Sequence, residues 1–85
     1  MKAQKFAPNH LILADENSFS LQSYDTIVVR KEGDTVYLDP AWDYSNTTAK
    51  NVYKFLFMYV HYDGMNKKSV TKLIENGRFI VKNLN

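Results

Sequence analysis

Thr35-Val36-Tyr37-Leu38-Asp39-Pro40-Ala41-Trp42-Asp43-Tyr44-Ser45-Asn46-Thr47-Thr48 is the stretch on which the fold turns. Its first five residues alternate, with Val36 and Leu38 on one face and Tyr37 on the other, the period-two signature of a strand. Pro40 has no amide proton for a ladder and ends that strand. From Thr47 to Tyr62 the apolar period changes to that of a helix. Val52, Phe55, Leu56 and Tyr59 follow the i, i+3, i+4, i+7 spacing of one buried stripe. Between the two lies a corner of capping residues beside a Trp and a Tyr. A strand that hands over to an amphipathic helix within ten residues makes this an α+β chain.

Upstream, Thr26-Ile27-Val28-Val29-Arg30 is β-branched, with Ile27 and Val29 expected on one face. Lys31-Glu32-Gly33-Asp34 follows, and Gly33 can take the positive φ of a tight hairpin. The two runs should pair antiparallel. His10-Leu11-Ile12-Leu13 reads as a short first strand, ended by the polar run Asp15-Glu16-Asn17-Ser18. Downstream, Asp63-Gly64 should stop the first helix. A second helix is expected over Lys67–Asn76, with Asn66 as N-cap, Val70, Leu73 and Ile74 as its buried stripe, and Gly77 at C′. Arg78-Phe79-Ile80-Val81-Lys82 completes the pattern as a strand with Phe79 and Val81 on one face. The expected fold is one α+β domain over residues 1–85: a small antiparallel sheet, order (β)ββααβ, with two helices packed on one face.

With 45% hydrophobic and 24% charged residues, the composition is that of a globular domain. No cysteine is present, which excludes disulfides, thiolate metal sites and thiol nucleophiles. The N-terminus lacks the apolar core of a secretory signal, and no run reaches the roughly 18 apolar residues of a membrane span. The expectation is a cytoplasmic protein without membrane association.

Charge is uneven along the chain. Residues 1–48 carry four Lys/Arg against seven Asp/Glu, a net of −3, whereas residues 49–85 carry seven against two, a net of +5. The basic half offers one candidate site, a nucleic-acid surface of Lys50, Lys54, Lys67, Lys68, Lys72, Arg78 and Lys82.

Catalytic chemistry finds little support. His10 and His61 lack metal-ligand spacing, Ser45 has no adjacent base, and three glycines form no phosphate loop. Asp39 and Asp43 flank Pro40-Ala41-Trp42 without the third acid and lysine of metal-dependent nucleases. No enzyme activity, cofactor or metal is expected. Ser45 or Thr47 reads as the N-cap of the first helix. Trp42 and Tyr44 point the same way if their segment is extended; packing against the sheet edge is one reading of the pair, and a partner-binding edge shared with Asp39 and Asp43, the preferred interface, is the other. Tyr53, Phe57 and Met58 lie outside the principal helix stripe, apolar surface to be covered either by a homodimer contact or by the second helix and the N-terminal segment.

Ser23-Tyr24-Asp25-Thr26-Ile27-Val28, Val36-Tyr37-Leu38, Tyr44-Ser45-Asn46-Thr47-Thr48 and Phe55-Leu56 together resemble a group of small proteins. That group is encoded by phages, plasmids and other mobile elements of Gram-positive bacteria. Its pattern is Ser-Tyr-x-Thr-x-Val, a short strand, Tyr-Ser-x-Thr-Thr, a His six residues after that Ser, and Phe-Leu. The match covers about residues 21–58, and Asn51 stands at the His position. No activity is assigned to the group. The resemblance implies an accessory protein in the host cytoplasm that binds, and inhibits or redirects, a host or defence protein.

Overall fold

A computed structural model describes residues 2–85; Met1, the first residue of the expected domain, lies outside the described residues. Five strands run in chain order: β1 (Lys2–Ala7), β2 (His10–Ala14), β3 (Ser18–Ser23), β4 (Thr26–Glu32) and β5 (Thr35–Leu38). Two helices follow, α1 (Asn46–Val60) and α2 (Lys67–Glu75), and then β6 (Phe79–Val81). The strands form one sheet in the order β1-β2-β3-β4-β5-β6. The fold is α+β as expected, but the sheet has two more strands than the sequence pattern gave.

β1 is one of them. Lys2-Ala3-Gln4-Lys5-Phe6-Ala7 has no β-branched residue, yet it pairs with β2 from Lys2 opposite Ala14 to Ala7 opposite His10. Pro8-Asn9 turns the chain, with Asn9 at φ 63°; Pro followed by a left-handed residue suits a type II turn. β3 is the other. Its cue is the alternation of Phe19 and Leu21 with serines, and pairing secures it: Leu21 lies opposite Ile12 on β2 and Val29 on β4, all three buried.

The β4–β5 hairpin forms as expected around Gly33, whose φ is 60°. Val36 and Leu38 are buried together. Ile27 and Val29 do not behave as a pair. The β3–β4 register jumps from Leu21–Val29 to Gln22–Ile27, so Val28 is the extra residue of a bulge, and Val28 and Val29 are both fully buried. A bulge breaks period-two alternation in this way.

The sheet is also not wholly antiparallel. β6 pairs parallel with β5, Val36 opposite Phe79. The β5–α1–α2–β6 connection is a crossover, which returns the chain in the same direction as β5. Both helices lie in that crossover on one face of the sheet. One core unites Val52, Phe55 and Leu56 of α1, Val70 of α2, and Ile12, Leu21, Val29, Leu38 and Phe79 of the sheet. Phe79 is buried but Val81 is exposed, because the core ends at the sheet margin.

α1 stops earlier than Asp63-Gly64 would place it. His61 takes a left-handed conformation (φ 65°), and the amides of His61 and Tyr62 both donate to the Leu56 carbonyl, closing the helix. α2 is capped as expected. The Asn66 side chain accepts from the Ser69 amide at 2.9 Å, and the Ser69 hydroxyl accepts from the Asn66 amide at 2.9 Å, a reciprocal box. Gly77 follows at φ 83°.

Candidate functional site

The start of α1 meets the β1–β2 and β3–β4 turns at one end of the sheet. Ser45 has extended backbone (φ −143°, ψ 160°) and its Oγ accepts from the Thr48 amide at 3.1 Å, so it is the N-cap. Thr47, the other cap candidate, is already inside the helix and exposed; its carbonyl accepts from the Asn51 side-chain amide at 2.9 Å. Asn51, at the His position of the resembling group, thus spans one helical turn.

Thr48 has the inward role. Its hydroxyl lies 3.1 Å from Ser45 Oγ and 2.9 Å from Ser23 Oγ, and Ser23 Oγ is 3.0 Å from His10 Nε2. His10 Nδ1 stands 2.8 Å from the Pro8 carbonyl, which can only accept, so Nδ1 carries the proton and Nε2 accepts from Ser23. The direction of the remaining bonds follows: Ser45 donates to Thr48, Thr48 to Ser23, Ser23 to His10, and His10 to Pro8. His10, Ser23 and Thr48 are all fully buried. A hydroxyl bonded to an imidazole is a nucleophile–base pair in form, but Ser23 is sealed from solvent. The chain of bonds acts as a strut joining two turns and a helix start. Tyr24 (φ 56°), edge-on to His10 at 5.9 Å, and Tyr44 flank it, both more than half exposed.

The expected partner edge does not form. Residues 40–43 are turns and not an extended run, with the Trp42 amide donating to the Asp39 carbonyl and that of Tyr44 to the Ala41 carbonyl. Trp42 and Tyr44 therefore part. Trp42 is 5% exposed and packs edge-on against Tyr53 at 6.1 Å, a core residue and not a surface anchor. Asp39 is buried as well; its carboxylate accepts from the amides of Ala41 (3.0 Å) and Leu84 (2.9 Å) and from the Asn85 side chain (3.1 Å). Asp43 pairs with Lys67 at 3.3 Å. Burial, with a smaller contribution from the Asp43 charge, holds the Tyr53 hydroxyl above the usual tyrosine range. Of the four edge residues Tyr44 is exposed and Asp43 partly so, whereas Trp42 and Asp39 are buried.

The seven basic residues do not gather into one patch either. Lys50, Lys54, Lys68 and Lys72 point outward from the two helices, and Lys67 belongs to the Asp43 pair. Lys54 lies 4.8 Å from the Phe6 ring centroid. Lys82 lies 4.4 Å from that of Tyr37, on the sheet face away from the helices, and Arg78 stands apart before β6. Of the apolar residues outside the α1 stripe, Tyr53 is half-buried against Trp42, whereas Phe57 and Met58 are 55% and 49% exposed. No cluster of three or more His, Asp or Glu side chains arranged to hold a metal occurs among the described residues. No helix among them is long and apolar enough to cross a membrane.

The meander, the two-helix crossover and the buried hydroxyl–imidazole strut define a small α+β domain class organised around the start of α1. The chain belongs to a family described as "Family of unknown function (DUF8033)", whose model matches residues 1–75, from β1 through α2. No curated protein and no solved structure matches it.

Proposed function

We propose that the chain is a non-catalytic binding module, an accessory protein of a phage or other mobile element that engages a host protein in the cytoplasm. The observation that carries this reading is the outward face of α1. Phe57 and Met58 stand in solvent although the buried stripe of the helix is complete without them. Lys50 and Lys54 lie two turns and one turn before them on the same face. An apolar pair beside two uncompensated lysines suits a partner with an apolar cleft rimmed by carboxylates. A homodimer through the same face is the weaker alternative, because a two-fold contact would bring the lysines of both copies together.

The test is affinity capture from nuclease-treated host lysate, using the native chain and a Phe57→Ala/Met58→Ala variant. Capture of a defined partner that the variant loses, at unchanged melting temperature, supports the reading. Equal capture by both chains refutes this surface. Light scattering at two concentrations addresses the dimer: a mass near 9.9 kDa throughout means a monomer.

A second reading, nucleic-acid binding, draws on Lys50, Lys54, Lys68 and Lys72, all exposed on the helical layer. Counterion release makes such binding fall steeply between about 50 and 200 mM salt, whereas apolar anchoring changes far less. Gel shifts across that range separate the two.

A further inference from the structure

A concavity of about 400 Å³ opens where the C-terminal end of α1 meets the β4–β5 turn and the start of β6. Its volume lies in the range of small-molecule sites, about 300–1,000 Å³. Two kinds of residue line it. Tyr59 and Tyr62 supply aromatic surface and are themselves held by packing: Tyr59 packs between Phe55 at 5.0 Å and Phe19 at 5.1 Å, and Tyr62 meets Phe79 edge-on at 5.4 Å. Lys31 and Arg78 supply positive charge, and no ion pair occupies either among the described residues. Asp34 adds an acceptor, and the last residues of α1, whose carbonyls lack intrahelical donors, line the groove as well.

We propose that this groove binds a nucleoside phosphate, the base lying against Tyr62 with Tyr59 beside it and the phosphate between Lys31 and Arg78. The pairing of aromatic faces with two unneutralised cations selects a ligand that is flat at one end and anionic at the other. Asp34 and the helix carbonyls then accept from an exocyclic amino group, which favours amino-bearing bases. Free nucleotide and single-stranded nucleic acid present the same chemistry. The groove shares no residue with the Lys50, Lys54, Phe57 and Met58 face, so it stands or falls separately from the protein-binding reading.

The experiment is titration calorimetry of the full chain with 5′-mononucleotides, with the matching nucleosides, and with short single-stranded oligonucleotides. Saturable mononucleotide binding, weaker for the nucleoside, is the expected result. Lys31→Ala and Arg78→Ala should each weaken it about tenfold, the loss of one charge-assisted hydrogen bond, at unchanged melting temperature. Asp34→Asn should alter the order of preference among bases. Tighter binding of the oligonucleotide, with the same dependence on Lys31 and Arg78, identifies a strand as the source of the nucleotide. Absence of saturable binding, nucleosides binding as well as nucleotides, or indifference to both cation substitutions overturns the proposal.

Discussion

Ser23 and Thr48, twenty-five residues apart, bond hydroxyl to hydroxyl at 2.9 Å in a site closed to solvent. This contact locks the end of β3 to the first turn of α1 and makes the helix start part of the sheet's hydrogen-bonding. Thr48→Val keeps the shape but strands Ser23 without its donor and Ser45 without its acceptor. It should cost about 1–3 kcal/mol. In urea unfolding, Ser23→Ala with Thr48→Val should show a coupling of about 0.5–3 kcal/mol, and additive losses would mean the bond is incidental.

The cap assignment makes a prediction of opposite signs. Ser45→Ala removes the cap and should destabilise by about 0.5–2 kcal/mol. Thr47→Ala, exposed inside the helix, should be neutral or stabilising by a few tenths of a kcal/mol, since Ala has the higher helix propensity. Melting temperatures of the two variants check this directly; about 1 kcal/mol corresponds to roughly 4–8 °C in a domain of this size.

Trp42 and Tyr44 should separate in the same assay. Trp42→Ala empties a core position and should cost about 3–5 kcal/mol, a large part of the stability of a small domain. Tyr44→Ala removes an exposed side chain and should stay within about 0.5 kcal/mol of the native chain. A mild Trp42→Ala would mean that the ring is not needed by the core.

Asp39 and Asn85 form a clasp across 46 positions. The side-chain amide of Asn85 donates to Asp39 Oδ1 at 3.1 Å and to the Ile27 carbonyl at 3.1 Å, and its oxygen accepts from the Ile27 amide at 2.8 Å. β5 ends at Leu38, so this amide takes the place of a further strand residue beside β4. Asp39→Ala leaves three donors without their acceptor and should cost about 1–3 kcal/mol. Hydrogen exchange should show faster opening at the Ile27 amide in Asn85→Ala.

Tyr53 gives a pH prediction. Its neutral form is favoured in the folded chain, so the folded value lies above the unfolded value, near 10.0. Below about pH 10 its contribution to stability is complete. As pH rises through the raised folded value the unfolded chain releases its proton first, and stability falls. Tyr53→Phe should remove this component, so the native chain should lose more melting temperature than the variant on going above pH 10. Parallel curves would contradict the shift.

The sequence by itself determined the elements that carry a period: the β4–β5 hairpin, both helices, the Asn66 cap and the switch from strand to helix after Pro40. Each is set by local chemistry, a β-branched run, a glycine turn or an amphipathic stripe. Tertiary structure decided the rest. β1 has no propensity of its own and exists because β2 offers it an edge; β6 runs parallel because two helices precede it. The bulge at Val28 is a property of a strand pair and leaves no mark in one strand. The candidate site divides in the same way. The cap was legible to within two candidates, Ser45 and Thr47, since a cap is local. For Trp42 core packing and a partner contact both stood open, and the burial of Asp39 was not legible, because an aromatic–acidic corner looks the same whether it faces solvent or core. That choice fell to the turns at 40–43, which bury Trp42 against Tyr53 and aim Asp39 at residues 84 and 85, far along the chain but adjacent in the fold.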